Sequence, residues 1–331
     1  MSRWSGRWPW IAAAGALLIA AAVGIGRGMD AGALAFDPYA RPGRLAILPD
    51  HRALNFRCFG RGSPTVILEA GFGAGSNAWG RVEPKIASVT RVCAYDRAGY
   101  GFSDPGPMPR DGQAIARDLD RGLSAAGISG PYVVVAHSAG GLYARLFAAR
   151  RRRDVVGLVF VDPSVEHQTQ RTAALFGPGA GSIDGIKRRP ARCLAVALAP
   201  KAPANAADLA ECAPATLDAA ARRVALRPDS WRTELSELDT LFTTTSDEVD
   251  RTDNLLADIP AIVLTAAKAD GVAAAPEDRG AAAWQGFHHE LAASFHSGEQ
   301  RLVKSSHFMM SDRPEVVADA AIELVRRARK H

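Results

Sequence analysis

This chain of 331 residues predicts an α/β fold, a mostly parallel sheet with helices on both faces and a helical insertion. Three observations carry that reading. Short apolar runs of strand type alternate with helical patterns from residue 52 to residue 162, and again from residue 259 to the closing helix. One of those runs, at 131–136, is apolar without interruption, as befits a strand covered on both faces. Between 163 and 258 the alternation stops and only Ala-rich helical patches remain.

Residues 52–59 and 65–69 read as strands separated by a turn cluster, GRGSP, at 60–64. Residues 78–88 are weakly helical, and 91–96 form a strand that ends in a loop at 97–104. The segment 111–126 carries Ile115, Leu119 and Leu123 at a spacing of four, one face of a helix. Residues 132–136 are the strand before Ser138, and 139–150 the helix after it. Strands follow at 155–161, 259–265 and 301–304. The closing helix, 314–329, has Asp312 near its N-cap and Pro314 near its first turn. Helical patches at 214–226 and 230–242 belong to the insertion 163–258, which is expected to cap the carboxyl ends of the strands, where sites in open α/β sheets lie. The core is thus expected at 40–162 and 259–331.

The composition, 47% hydrophobic and 23% charged, is that of a globular protein with ample core. The N-terminus differs. Arg3 and Arg7 precede an uncharged apolar run at 10–26, followed by small residues at Ala31 and Ala33. Residues 1–35 therefore read as a signal peptide or as a retained anchor, since the run approaches the ~20 residues that span a bilayer. Either places the remaining chain outside the cytoplasmic membrane, with contact to the membrane only through this segment. Four cysteines fit an oxidising compartment. Three pairings exist, and Cys58–Cys93 with Cys193–Cys212 is the expected one. No Cys-x-x-Cys motif points to a metal or redox role. The formal charge of +5 is concentrated at 150–153 and 326–330, both at helix ends where cations are favoured, and no aromatic interleaving suggests nucleic-acid binding.

The segment 131–142, PYVVVAHSAGGL, is the most telling. A serine on a sharp turn between a buried strand and a helix is a nucleophile elbow, which makes Ser138 a candidate attacking oxygen. A serine hydroxyl needs a base. His307, in KSSHF after the last strand, is the candidate, at the same sheet end as Ser138. His137 is expected to pack or hydrogen-bond locally, and His288 with His289 and Glu290 to form a solvated helix face. The imidazole in turn needs a carboxylate. Asp270 is the first choice and Asp162 the alternative, both just past strands and both between serine and histidine in chain order. The oxyanion would be held by backbone N–H groups of Ala139 and of Phe72, the latter in the Gly-rich loop EAGFGAG at 69–75. That loop lacks the Lys-Ser/Thr ending of a phosphate cradle.

These residues resemble the α/β-hydrolase superfamily from about residue 52 to the C-terminus. The segment YDRAGYGFSD, 95–104, is similar to the superfamily's Asp-Arg-x-Gly-x-Gly-x-Ser loop, EAGFG to its oxyanion loop, and SHF with DRPE at 312–315 to its terminal histidine segment and last helix. The resemblance implies an eight-stranded α/β-hydrolase sheet in the order 1-2-4-3-5-6-7-8, in which the strands of Cys58 and Cys93 are neighbours. It implies a serine hydrolase acting on a small-molecule acyl substrate, an ester by default, with no cofactor and no metal. Three departures stand out. Ala136 replaces the elbow's first glycine, Ser306 replaces the glycine before the histidine, and the chain between Asp270 and His307 is longer than is common. Some members place the acid after the earlier strand, which is the position of Asp162. Rival readings are a catalytically silent binding receptor on the same fold, and acyl transfer or perhydrolysis at the same site. Oligomeric state stays open.

Overall fold

The protein is described by a computed structural model at residues 41–202, 206–215, 217, 219–268 and 278–330. The expected signal or anchor at 1–35 lies outside the described residues, and among those described no helix is long and apolar enough to cross a membrane.

Eight strands form one sheet in the order β1-β2-β4-β3-β5-β6-β7-β8. They are β1 (Arg44–Ile47), β2 (Ala53–Phe59), β3 (Thr65–Glu69), β4 (Val92–Tyr95), β5 (Tyr132–His137), β6 (Val155–Val161), β7 (Ala261–Ala267) and β8 (Gly298–Lys304). Only β2 runs against its neighbours; all other pairings are parallel. Strands β3, β4 and β5 are buried along their whole length, because helices cover both faces.

The first face carries α2 (Gly112–Ala125) and α3 (Gly140–Arg150), preceded in the chain by α1 (Glu83–Ala87) on the opposite face. Asp111 caps α2 by accepting the Ala114 N–H at 2.7 Å, and the periodic Ile115, Leu119 and Leu123 are all buried. Between β6 and β7 the described residues are helical: α4 (Gln168–Phe176), α5 (Asp184–Leu198), α6 (Ala206–Cys212), α7 (Ala219–Ala225), α8 (Pro228–Thr240), α9 (Thr244–Asp250) and α10 (Asp253–Leu256). After β7 come α11 (Arg279–Ala293), then β8, α12 (Met309–Asp312) and α13 (Pro314–Ala328).

Cys58 and Cys93 are directly opposed across the antiparallel β2–β4 pair, with Cα atoms 4.1 Å apart, and form a disulfide. Cys193 and Cys212 form the second, joining α5 to α6 beside Trp231 of α8. That small cluster is the insertion's own apolar centre. A cross-link over 19 residues removes about 3 kcal/mol of chain entropy from the unfolded state. Replacing Cys193 and Cys212 together by serine is therefore expected to destabilise α5–α8 by about that amount. Hydrogen exchange should show faster opening there and unchanged protection in β3–β6; uniform exchange would contradict it.

Candidate active site

Ser138 sits one residue past β5 with φ of 52°, a left-handed conformation that a serine adopts only when its surroundings over-determine it. Its N–H donates to Val161 O at 3.2 Å, and its carbonyl accepts from Gly141 at 2.9 Å and Ser164 at 3.0 Å. The elbow is thus tied to both the following helix and β6. Glycine is required where backbones meet: a Cβ on Gly140 would lie 2.7 Å from Ala70 O. Ala136 needs no such relief. It does not have positive φ, and its methyl is buried in the first-face core. Ser306, though exposed, likewise has no positive φ; its hydroxyl accepts the Phe308 N–H at 3.1 Å while its own N–H donates to Asp312 at 2.9 Å.

His307 Nε2 lies 3.1 Å from Ser138 Oγ, and His307 Nδ1 lies 2.6 Å from Asp162 Oδ2. The carboxylate at the imidazole is therefore Asp162, the alternative acid. Asp270 lies outside the described residues. Asp162 follows β6 with φ of 44°, and its backbone N–H donates to Leu264 O at 2.7 Å. The β6–β7 pairing so formed brings Oδ1 within 2.9 Å of the Ala266 N–H. Oδ1 also accepts from Trp284 Nε1 of α11 at 2.9 Å. Burial raises the Asp162 pKa, but the His307 hydrogen bond and charge, His288 and the Ala266 amide outweigh it and hold it at about 2. This aspartate is a carboxylate throughout the physiological range.

His288 corrects the sequence reading. Only His289 and Glu290 face solvent; His288 is fully buried. Its Nε2–H donates to Pro163 O at 2.7 Å and its Nδ1 lies 2.9 Å from the Thr265 hydroxyl. The burial lowers its pKa and keeps it neutral. Trp284 carries no signal of its own in the sequence, although its spacing of four from His288 puts both on one face of α11.

His137 does more than bond locally. Its Nε2–H donates to the carbonyl of His307 at 2.9 Å, and the two rings lie 4.6 Å apart. Burial, reinforced by the proximity of His307, lowers the His137 pKa to about 3. The folded state thus binds fewer protons than the unfolded chain below pH ~6.5, so acid favours unfolding. Stability is expected to fall by about 2 kcal/mol from this residue between pH 7.5 and pH 5. Urea unfolding of His137→Gln, which keeps an amide donor for the His307 carbonyl, should show a pH dependence smaller by that amount; an unchanged dependence would refute the assignment.

The loop after β3 runs beside the serine: a Cβ on Gly71 would lie 3.2 Å from Ser138 Cβ. Arg97 holds this loop from beneath. Its guanidinium is 2% exposed and all five N–H groups are used. Nη1 reaches Glu69 Oε1 at 3.0 Å and Ala70 O at 2.7 Å; Nη2 reaches Gly71 O at 2.9 Å and Glu237 Oε2 at 3.3 Å; Nε reaches Glu237 Oε1 at 3.2 Å. Tyr95 donates to Glu69 and Tyr100 to Glu237. Burial pushes the Glu69 carboxyl up to about 7 against the pull of Arg97. In a trans peptide the carbonyl and the next N–H point oppositely. With Gly71 O turned to Arg97, the Phe72 N–H faces away from it. Among the described residues neither the Phe72 N–H nor the buried Ala139 N–H has an acceptor. Sequence reasoning missed the role of Arg97 and the contribution of α8.

The arrangement can activate a hydroxyl and offer two amides to a developing oxyanion, with each group at the carboxyl end of a strand. A family model described as alpha/beta hydrolase family matches residues 66–320. Among curated proteins, an uncharacterized protein of Schizosaccharomyces pombe is 46% identical over 81 residues, 24% of this chain and 15% of that protein. The chain spans 15–42% of the length of eight curated relatives that it matches. The crystal structure of DBJA aligns with a TM-score of 0.65 at 20% identity, covering 87% of this chain and 98% of that one. The epoxide hydrolase CorEH aligns with a TM-score of 0.60 at 17% identity, covering 86% and 98%. Likeness at such identities speaks for the fold alone.

Proposed function

This chain belongs to the alpha/beta hydrolase family, and on that basis we propose that it is a serine hydrolase cleaving an ester or related acyl bond through an acyl-enzyme intermediate. The observation that carries the reading is the continuous relay Ser138–His307–Asp162, at 3.1 and 2.6 Å. Ser138 Oγ attacks the acyl carbonyl while His307 Nε2 takes its proton, and Asp162 steadies the imidazolium. The Phe72 and Ala139 amides take the charge that grows on the carbonyl oxygen. His307 then returns the proton to the leaving alcohol, and a water, deprotonated by the same imidazole, releases the acid. A serine nucleophile suits acyl transfer; epoxide or haloalkane opening needs a carboxylate that can form an alkyl ester with the enzyme. The two disulfides support an oxidising compartment, in keeping with a catalytic domain exported beyond the cytoplasmic membrane.

Labelling with a fluorophosphonate tests this directly. Stoichiometric modification at Ser138, absent in Ser138→Ala, is the expected result. A folded wild-type protein that stays unlabelled would end the hydrolase reading and favour a silent receptor. Water against alcohol acceptors in the product assay then separates hydrolysis from acyl transfer.

A further inference from the structure

Helix α8 brings a second carboxylate to the site, one that the relay does not use. Glu234 is 8% exposed, and a Cβ on Gly73 would lie 3.9 Å from its Oε2. Gly73 is two residues along from Gly71, which flanks Ser138. Glu234 and the candidate nucleophile therefore stand near the two ends of one stretch whose Cα atoms span at most about 7 Å. Gly73 has φ of 70°, a conformation that favours glycine, so no side chain stands between this part of the loop and the carboxylate.

Among the described residues the Glu234 side chain accepts no hydrogen bond. Its neighbour on the next turn, Glu237, shares Arg97 with Glu69. The ionisable groups that act on Glu234 are Arg189 of α5, Glu237 and Arg97, and Tyr100 also feels its charge. Arg189 does not form an ion pair with it but stacks over Trp231 at 5.2 Å. Arg97 is thus spent on Glu69 and Glu237, and Glu234 has only the charge of Arg189, with which it makes no ion pair. The side chain is largely buried, and that burial raises its pKa to about 8, so the group tends to hold its proton. An arriving cation reverses that balance.

We propose that Glu234 recognises a cationic nitrogen on the substrate, so that the site takes esters carrying an ammonium group close to the scissile carbonyl. This rests on the hydrolase reading above and adds the substrate class. An ammonium N–H···O⁻ bond in a mostly desolvated setting discriminates strongly against an uncharged group of the same shape.

The test uses p-nitrophenyl esters of ω-dimethylamino acids with four to six chain carbons, beside their ω-isopropyl isosteres, which are equal in shape but uncharged. The wild-type enzyme is expected to prefer the cationic member by at least about tenfold in kcat/KM at its best chain length, the gain residing in KM. In Glu234→Gln the ratio should fall toward unity. No preference in the wild-type enzyme at any length overturns the proposal without recourse to a variant, and so does a preference that Glu234→Gln retains. If neither ester turns over and Ser138 resists the fluorophosphonate, the hydrolase reading has failed on its own account. Calorimetry with an alkyldimethylammonium salt then decides: binding lost in Glu234→Gln keeps the cation site, and no binding to the wild-type protein removes it.

Discussion

Asp162→Asn is expected to lower kcat by about 10⁴-fold while leaving the fold in place. The asparagine can still accept from Trp284 and Ala266 through Oδ1, the bonds that now anchor the side chain at 2.9 Å each. At the position of Oδ2 it presents an N–H to His307 Nδ1 instead of an acceptor. That forces the imidazole into the tautomer with its proton on Nε2, which cannot take a proton from Ser138. The loss falls on kcat, because the substrate still meets the same walls. Fluorophosphonate labelling should slow in parallel. Asp270→Asn should leave both nearly unchanged; a large effect at Asp270 with a small one at Asp162 would move the acid to the later strand. Acid stability follows the same carboxylate. Its folded pKa, about 2, lies below the ordinary value of 3.8, so its contribution is full above pH ~4 and is lost as pH falls through 2.

The two candidate acids show where sequence reading stops. Ser138 and His307 are legible because each is punctuated locally, one by a buried strand ending in small residues and the other by the last strand and a Pro-opened helix. Asp162 and Asp270 carry similar local signals, each a short way past an apolar strand. What distinguishes Asp162 is non-local: the register of β6 on β7, and an indole delivered by α11 from 122 residues away. The eight-strand order follows from the resemblance, but β1 has no signal of its own. It is a four-residue edge strand with a single buried residue, too short for alternation to register. The sequence places Cys193 and Cys212 close together in a helical region, which suffices to expect their bond. The same helical patterning says nothing about which face of α8 meets the core, so Glu234 and Glu237 stay invisible until the helix is docked.

Arg97→Lys should cost about 10²-fold in kcat/KM although Arg97 touches no substrate. The lysine keeps the charge between Glu69 and Glu237, but an ammonium has three donors against the five that the guanidinium spends here. The two carboxylates hold the stronger claim on a cation, so the carbonyls of Ala70 and Gly71 are the partners released. Gly71 O then keeps only the longer bond from the Ala74 N–H, 3.3 Å, so the peptide that carries the Phe72 N–H gains freedom to rotate and one of the two oxyanion donors loses its aim. A purely structural role would lower the melting temperature without touching transition-state affinity. The aiming role predicts that a trifluoromethyl ketone, which forms a tetrahedral adduct with the serine, loses affinity by the same factor as kcat/KM, while binding of a substrate-like amide that leaves its carbonyl planar changes little. Arg97→Met should go further. With both carboxyls left buried beside an apolar chain, the cost is about 3–5 kcal/mol of stability, enough to unfold a marginal protein. Lysine is therefore the informative substitution, and parallel losses of ketone affinity and turnover in that variant are what assign Arg97 to the aiming of the oxyanion hole.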